Sequence, residues 1–380
     1  MNTPVRIAAI EGWSVRAPIK APVVTSFGIM TDRPTVFLRV RDQDGNEGWG
    51  EVFANWPAAG AEHRINLLQR DFADLLIGTE VEDPQDLFYA LTEKTRIRAL
   101  QCGEEGPFRQ IIAGLDIALW DLFARREGLS MRKYLNSEAM NDVPVYASGI
   151  HLGAAPQMIE TARNSGYERF KVKVGFDLST DIKDLNRLLG AMTKGETLAA
   201  DANQAWSIDQ SLEFVTALSG APLEWLEEPM PVFAPAADWA RLETHTTFPL
   251  AGGENIAGFD DFRTAIDQAH LKVIQPDIMK WGGFTGCFKV AKDIRAAGLR
   301  YCPHYLGGGI GLAASAELLA AVGGEGVLEL DANPNPLREA FDTTTTRLNG
   351  RVWVCDGAPG LGIDALPQDL QPLITGYVQI

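Results

Sequence analysis

RFKVKVG (169–175), TLAADAN (197–203) and LEWLEEP (223–229) decide how this sequence is read. Each is a short apolar or β-branched run that ends in charged residues, and each is followed by an amphipathic helical stretch. Working outward, VPVYASG (143–149) comes before them, and PLAGGEN (249–255), VIQPDIM (273–279), RYCPHYL (300–306) and VLELD (327–331) follow. Eight strands at a spacing of roughly 25 residues have the period of a βα unit and the count that closes a parallel barrel. A doubly wound open sheet is the rival architecture. It usually has fewer strands and a phosphate loop at its first βα turn, which is missing here.

The charged residues fall at the ends of these strands. Strand two carries Lys171 and Lys173, strand three Asp201, strand four Glu227 and Glu228, strand five Glu254, strand six Asp277, strand seven His304 and strand eight Glu329. One charge at a strand end can cap the next helix. Seven consecutive strands ending this way point to convergence at the C-terminal mouth, where barrel active sites lie. Asp201, Glu227 and Glu254 stand on consecutive strands, and three ionised carboxylates cannot share a small volume without a cation. Oxygen-only ligation suits Mg²⁺, with Mn²⁺ also fitting, whereas zinc usually takes His or Cys. Surface ion pairs are the plainer alternative.

Lys171 and Lys173 alternate with Phe170, Val172 and Val174, so both ammonium groups face the barrel interior. Mutual repulsion and burial are expected to lower their pKa and make a general base. His304 alone would be read as structural. With Asp277 ending the preceding strand, a carboxylate can fix its tautomer and raise its basicity, giving a second acid/base across the mouth from Lys173. His63, His151, His245 and His270 form no ligand pattern and read as structural or surface residues, although His151 could reach the mouth.

LGGGIGLAASAELLAAV (306–322) fails the dinucleotide fingerprint, because Leu312 stands where the third glycine is needed. It reads instead as a loop admitting substrate or its carboxylate at a helix N-terminus. No G-x-S-x-G elbow occurs, and Cys302 shares a strand face with His304 but has no activating partner of its own.

The first part of the chain is α+β. Residues 5–14 and 35–41 read as strands, and Asp44-Gly45-Asn46 marks a hairpin rather than a calcium loop, since the glycine comes too early and no bidentate Glu follows. Residues from His63 to about Arg126 read as helical, with Gly128 as a C-cap. The tail after about residue 350 is expected to return to this first domain.

The 380 residues allow two or three domains, and a barrel of about 250 residues plus a smaller domain fits. With 34 basic against 50 acidic residues the net charge is −16, which argues against nucleic-acid or anionic-membrane binding but leaves room for a small anionic substrate held by a few buried cations. A hydrophobic fraction of 46% supports a packed core. Cys102, Cys287, Cys302 and Cys355 form no CxxC pair, and neither a signal-peptide pattern nor an 18-residue apolar run occurs. A soluble, reducing, cytoplasmic setting is the expectation.

Together, GWGE (48–51), LDIALWD (115–121), KVK (171–173), DANQAW (201–206), WLEEP (225–229), GGEN (252–255), QPDIMKWGG (275–283), PH (303–304) and LELD (328–331) resemble the mandelate racemase subgroup of the enolase superfamily over nearly the whole chain. The resemblance implies an α/β fold, a modified TIM barrel (β/α)7β under an N-terminal α+β capping domain completed by the C-terminal tail. The expected divisions are 1–130, 131–350 and 351–380. It implies Asp201, Glu227 and Glu254 as magnesium ligands, Lys173 as base with Lys171 as its partner, His304 with Asp277 as the opposing acid/base, and Glu329, if protonated, as a hydrogen-bond donor to the enolate. A muconate-lactonizing site would carry lysine at Asp277, so Lys280 is set aside as a catalytic base.

The implied chemistry is abstraction of an α-proton from a hydroxylated carboxylic acid or its lactone. Glycine-flanked His304 and ELDANPNPLR (329–338) resemble the branch of D-galactarolactone cycloisomerase and the acid-sugar dehydratases, so β-elimination or cycloisomerisation is favoured. Racemisation or epimerisation by the same Lys/His pair, and dehydration of a hydroxyproline-type acid, remain alternatives. The resemblance also implies a small-molecule carboxylate as partner and homo-oligomeric assembly. Specificity loops are expected around Pro22–Met30 and Phe53–Pro57. There Phe27, Met30, Phe53 and Trp56 either form an apolar lid or, for the aromatics of FANWP, pack the domain interface.

Overall fold

The computed structural model describes residues 4–341, 348–349 and 351–380. The expected division at residue 350 falls outside them. Among the described residues no helix is long and apolar enough to cross a membrane.

The chain opens with an antiparallel sheet of β1 (Val5–Thr25), β2 (Gly28–Asp42) and β3 (Glu47–Val52), with β4 (Glu80–Val81) on its side. The first two strands run well beyond the expected 5–14 and 35–41. Pro18 and Pro22 hid the continuation: the ladder shifts register between Pro18 and Val23 and then resumes to the tip at Thr25 and Gly28. The hairpin between β2 and β3 is as expected. Asp42 Oδ1 accepts from the amides of Asp44 at 2.9 Å and Asn46 at 2.8 Å, and Gly45 takes φ +86°.

The expected helical stretch is three pieces. Helix Gly60–Leu67 continues through a π-turn to Leu76. Asp83 caps helix Pro84–Cys102, and Gly103 (φ +70°) ends it. Helix Glu105–Arg126 stops just before Gly128 (φ +66°). This last helix is buried on nearly every side from Ile111 to Ala124, because it lies between the cap sheet and the barrel. The two glycines of GWGE let β3 lie directly on it. A Cβ at Gly48 would come within 2.1 Å of the Ala118 carbonyl oxygen, and one at Gly50 within 2.1 Å of that of Gly114.

All eight expected barrel strands form: β5 (Asp142–His151), β6 (Arg169–Lys173), β7 (Thr197–Asp201), β8 (Leu223–Glu227), β9 (Leu250–Gly252), β10 (Val273–Ile274), β11 (Arg300–Tyr301) and β12 (Leu328–Asp331). They pair in parallel in sequence order from β5 to β11, and β12 returns to pair with β5. Among the described residues no ladder joins β11 to β12. Lys173 pairs with Asp201, and Asp201 with Glu227, so register places these three residues at one level of the mouth. A hairpin of β13 (Leu348–Asn349) and β14 (Val352–Val354) lies against the start of β5, and β15 (Ile374–Gln379) then joins β1 in the cap sheet.

Two buried carboxylates of the first domain dock onto barrel helices. Glu51 Oε1 accepts from the amide of Gly308 and Oε2 from that of Gly311 at 2.8 Å, at the start of helix Gly309–Val322. This corrects the expectation for the glycine-rich loop: its helix N-terminus is filled by Glu51, not by substrate. Asp116 likewise meets helix Gly283–Ala296. Its Oδ2 accepts from the Thr285 amide at 2.9 Å, and the Thr285 hydroxyl donates to Oδ1 at 2.6 Å.

Burial pushes the Asp116 carboxyl up to about 7 against these hydrogen bonds. The folded chain then holds a proton there that the unfolded chain releases near pH 4. The stability from that proton is complete below about pH 4 and is lost as pH rises through about 7, a difference of roughly 4 kcal/mol. Asparagine cannot titrate, so Asp116→Asn should gain stability relative to the parent as pH rises across this window. Urea unfolding at pH values of about 4.5, 6 and 8 measures it; a stability difference independent of pH would exclude the protonation.

Candidate active site

A cavity of about 370 Å³ opens at the C-terminal mouth of the barrel under the cap. Lys173, Asn203, Gln204, Glu228, Glu254, Asn255, Lys280 and His304 line its barrel side. Phe27, Met30, Phe53 and Trp56 all line its cap side, with Phe27 and Trp56 in edge-to-face contact at 5.9 Å. Both aromatics of FANWP therefore face the site, and Phe53 also belongs to the core cluster shared with the barrel.

The polar floor is a connected set of ion pairs. Lys171 is 1% exposed, and its Nζ lies 2.8 Å from each oxygen of Glu227 and 2.8 Å from Glu329 Oε1. Lys173 Nζ donates to Asp201 Oδ2 at 2.5 Å. Opposite, His304 Nδ1 lies 2.7 Å from Asp277 Oδ2, and its Nε2 lies 3.0 Å from Glu254 Oε2. Asp277 is itself fixed by the amides of Met279 at 2.8 Å and Lys280 at 3.1 Å, which aim its other oxygen at the imidazole. Glu329 accepts from the Ser148 hydroxyl and from the Tyr305 amide at 3.1 Å.

The backbone is strained around the same cavity. Asn203 (φ +44°), Gln204 (φ +64°) and Glu228 (φ +39°) take left-handed conformations that non-glycine residues seldom adopt. Glu228 is held there by Gln204 Nε2 at 3.1 Å and Asn255 Nδ2 at 2.9 Å.

The electrostatics differ from the expectation for the two lysines. Burial favours loss of the proton from Lys171 and Lys173, as expected. However, Glu227 and Glu329 around Lys171, and Asp201 beside Lys173, outweigh burial and hold both ammonium groups above the ordinary lysine value. Glu329 is pulled toward its ionised form: burial raises its carboxyl, but Lys171 and His304 bring it well below the usual range. His304 follows its reading. Burial disfavours the imidazolium, and Glu254, Glu329 and Asp277 together raise it to about 9.

Sequence reasoning passed over several groups. Lys280, set aside, sits on the cavity wall with its Nζ 2.7 Å from Glu254 Oε2 and 5.0 Å from the centre of the Phe53 ring. Gln275 donates to Glu227 at 2.7 Å, and Glu228, named among the strand-end charges but given no role, faces the cavity. The QPD and EEP runs were the available signals. His151 packs on Phe176 at 4.6 Å and accepts from the Gly153 amide, and it is not among the residues lining the cavity although it pairs with Lys173. Cys302 is fully buried, and burial lifts its thiol to about 11, so it is no nucleophile.

Asp201, Glu227 and Glu254 each turn onto a cation. Among the described residues no three His, Cys, Asp or Glu side chains form a ready-made metal cage. The donor set nevertheless suits a hard divalent cation. Asp201, Glu227, Glu228, Glu254, Asp277 and Glu329 are all buried or nearly so around three ammonium groups and one imidazole, so at least two negative charges are unmatched. Burial, with Asp201 beside Glu227 and Glu254 beside Glu228, pushes both of these carboxyls upward. Acids that take up protons for want of positive charge, with oxygen donors on adjacent strands, match the ligation of Mg²⁺.

Comparison with known proteins fits this geometry. Residues 9–135 match the family described as mandelate racemase / muconate lactonizing enzyme, N-terminal domain, and residues 154–369 match enolase C-terminal domain-like. A crystal structure of a mandelate racemase/muconate lactonizing enzyme from Bordetella bronchiseptica RB50 is 43% identical, covering 98% of this chain and 100% of that one, with a TM-score of 0.92. D-galactarolactone cycloisomerase of Agrobacterium fabrum is 26% identical over 94% of this chain and 96% of its own length. L-talarate dehydratase from Polaromonas sp. JS666, solved with Mg and L-glucarate, shares the fold at 24% identity, covering 99% of each chain, with a TM-score of 0.80. The chain belongs to the enolase superfamily, in its mandelate racemase/muconate lactonizing group. It is accordingly an enzyme of the class that contains isomerases, lyases and dehydratases.

Lys171 is the most enclosed cation in this set, so removing it strands Glu227 and Glu329. Lys171→Met is expected to cost about 3–5 kcal/mol of stability. Lys173→Met should cost less, because the Lys173 side chain is 16% exposed against 1% for Lys171. Urea unfolding of the two variants tests the order.

Proposed function

We propose that this enzyme removes the α-proton of a hydroxylated carboxylic acid, or of its lactone, and completes β-elimination or cycloisomerisation. The observation that carries the reading is the placement of Lys173 Nζ and His304 Nε2 on one cavity, each tied to a different carboxylate, Asp201 and Glu254. Lys173 ends β6 and His304 follows β11, with β5 and β12 between these strands on one side of the ring and β7 to β10 on the other. A substrate between them meets a proton carrier on each face.

Asp201, Glu227 and Glu254 would hold Mg²⁺, and Mn²⁺ fits the same donors. When bound, the ion supplies fixed positive charge that competes with Lys173 and His304 for these carboxylates and favours negative charge developing on the substrate carboxylate. The chain's own residues do the proton work. One of Lys173 and His304, freed from its carboxylate and having released its own proton to solvent, accepts the α-proton as a neutral base, and the other, still protonated, delivers its proton to the leaving oxygen on the far face. Asp277 keeps the His304 imidazole aimed through Nδ1. Lys171, held as ammonium by Glu227 and Glu329, places a charged donor where the enediolate forms. The apolar lid excludes water and favours a less hydroxylated tail than that of a hexarate.

The same pair also supports a second reading. Return of a proton to the α-carbon from the opposite face would be racemisation or epimerisation.

A panel of sugar acids, their lactones and hydroxyprolines followed by ¹H NMR in D₂O separates these outcomes. EDTA should abolish turnover and Mg²⁺ should restore it; turnover that persists without metal would overturn the metal assignment. Lys173→Ala and His304→Asn should each lose elimination by about 100-fold or more, while α-proton exchange survives in one of them. Elimination unchanged in both would remove the proposed base and acid. Exchange from both enantiomers with no 2-keto product would select the racemase reading.

A further inference from the structure

One amide on the cap wall of the cavity has its two ends committed differently. Gln110, on helix Glu105–Arg126, lines the cavity. Its Oε1 accepts from Arg64 Nε at 3.1 Å and from Arg64 Nη2 at 2.7 Å. Two donors on one oxygen fix the amide's orientation, since the flipped form would set its NH₂ against the guanidinium. Nε2 therefore points away from Arg64, and it has no acceptor among the described residues.

Arg64 makes this end of the cavity electropositive. It is 2% exposed, and its other bonds go to the carbonyls of Trp56 and Gly60 and to His63 Nδ1. No carboxylate lies within ion-pair distance of it among the described residues. Burial draws it down to about 10, with only Glu104 opposing from further away. A buried cation without a counter-ion polarises the amide it binds and strengthens the donor on the other side. Of the other cap residues on the cavity, Phe27, Met30, Phe53 and Trp56 are apolar, while the Thr25 hydroxyl and the Asn55 amide donate to the carbonyls of Gly28 and Leu306.

We infer that Gln110 is a specificity-determining residue whose Nε2 donates to a carbonyl or carboxylate oxygen on the substrate's tail, and that Arg64 is its positioning residue. The inference rests on the proposed function only for which end of the substrate reacts. It makes the substrate a carboxylic acid with a largely apolar middle and a second, acceptor-bearing oxygen group at its far end.

The test uses the Mg²⁺-loaded protein and three probes of equal chain length: 2-hydroxyglutarate, its 5-amide, and 2-hydroxypentanoate. Dissociation constants come from calorimetric titration. The parent should bind both acceptor tails about tenfold more tightly than the methyl tail. Gln110→Leu should bring all three within about twofold of one another. Gln110→Glu, which keeps the shape and gives Arg64 an ion-pair partner, should bind 2-hydroxyglutarate most weakly of the three, because it offers no donor and repels a carboxylate. Arg64→Met should lower the tail preference part way, and adding it to Gln110→Leu should lower it no further. Equal binding of the three probes by the parent, or an unchanged preference in Gln110→Leu, overturns the inference. Exchange of the probes' α-protons in D₂O is read alongside. Exchange without tail preference strikes this inference alone, and tail preference without exchange strikes the proposed function alone.

Discussion

A carboxylate taken out of water must be met by donors or by positive charge, and this structure meets that demand in two ways. Between the domains it uses backbone and hydroxyl donors for Glu51 and Asp116, and a matched cation where it pairs Asp331 with Arg33 at 2.6 Å. Glu51 and Asp116 end on helix N-termini, and Asp121 accepts from the amides of Trp49 at 2.8 Å and Leu361 at 2.6 Å as well as from Arg125. At the barrel mouth it uses cations, and there are too few of them. The first arrangement locks the cap to the barrel. The second leaves a buried negative deficit at the place where strand register has aligned Lys173, Asp201 and Glu227.

The barrel was legible because its signal is local. Each strand is a short run with its charge at one end, and the eight runs recur at an even interval. Identifying the mouth residues needed only the rule that parallel strands of a barrel end on the same side. What could not be read was which acid faces which base. Lys171 and Lys173, taken as neighbours in sequence, suggest mutual repulsion; in space Glu227, Glu329 and Asp201 dominate them. Glu51 was visible only as part of a motif, since its partners at Gly308 and Gly311 lie more than 250 residues away. Arg64 and Gln110 carry no motif at all and meet only when two cap helices pack. The long β1–β2 hairpin was understated because prolines, poor in most strands, sit here at a register shift.

The cavity is chemically two-sided. Its barrel half is crowded with ionised groups whose positions are fixed by strand ends and by a strained backbone at Asn203, Gln204 and Glu228. Its cap half is apolar apart from a few amides. Such a division separates chemistry from selection: strand ends hold the proton carriers, while loops and helices of another domain read the remainder of the molecule.

The lid's two segments are tied down unequally. The one bearing Phe53 and Trp56 follows Glu51 directly, and it is also pinned by Asn55 to the Leu306 carbonyl at 3.3 Å and by Arg64 to the Trp56 carbonyl at 3.0 Å. The facing hairpin tip, with Phe27 and Ile29 each 61% exposed, reaches the barrel through the Ser26 hydroxyl on the Asn203 carbonyl at 3.2 Å. The entrance to the cavity thus has one firmly anchored doorpost and one lightly tied leaf, the tip at Thr25–Gly28, whose few ties are the ones an incoming molecule would have to loosen.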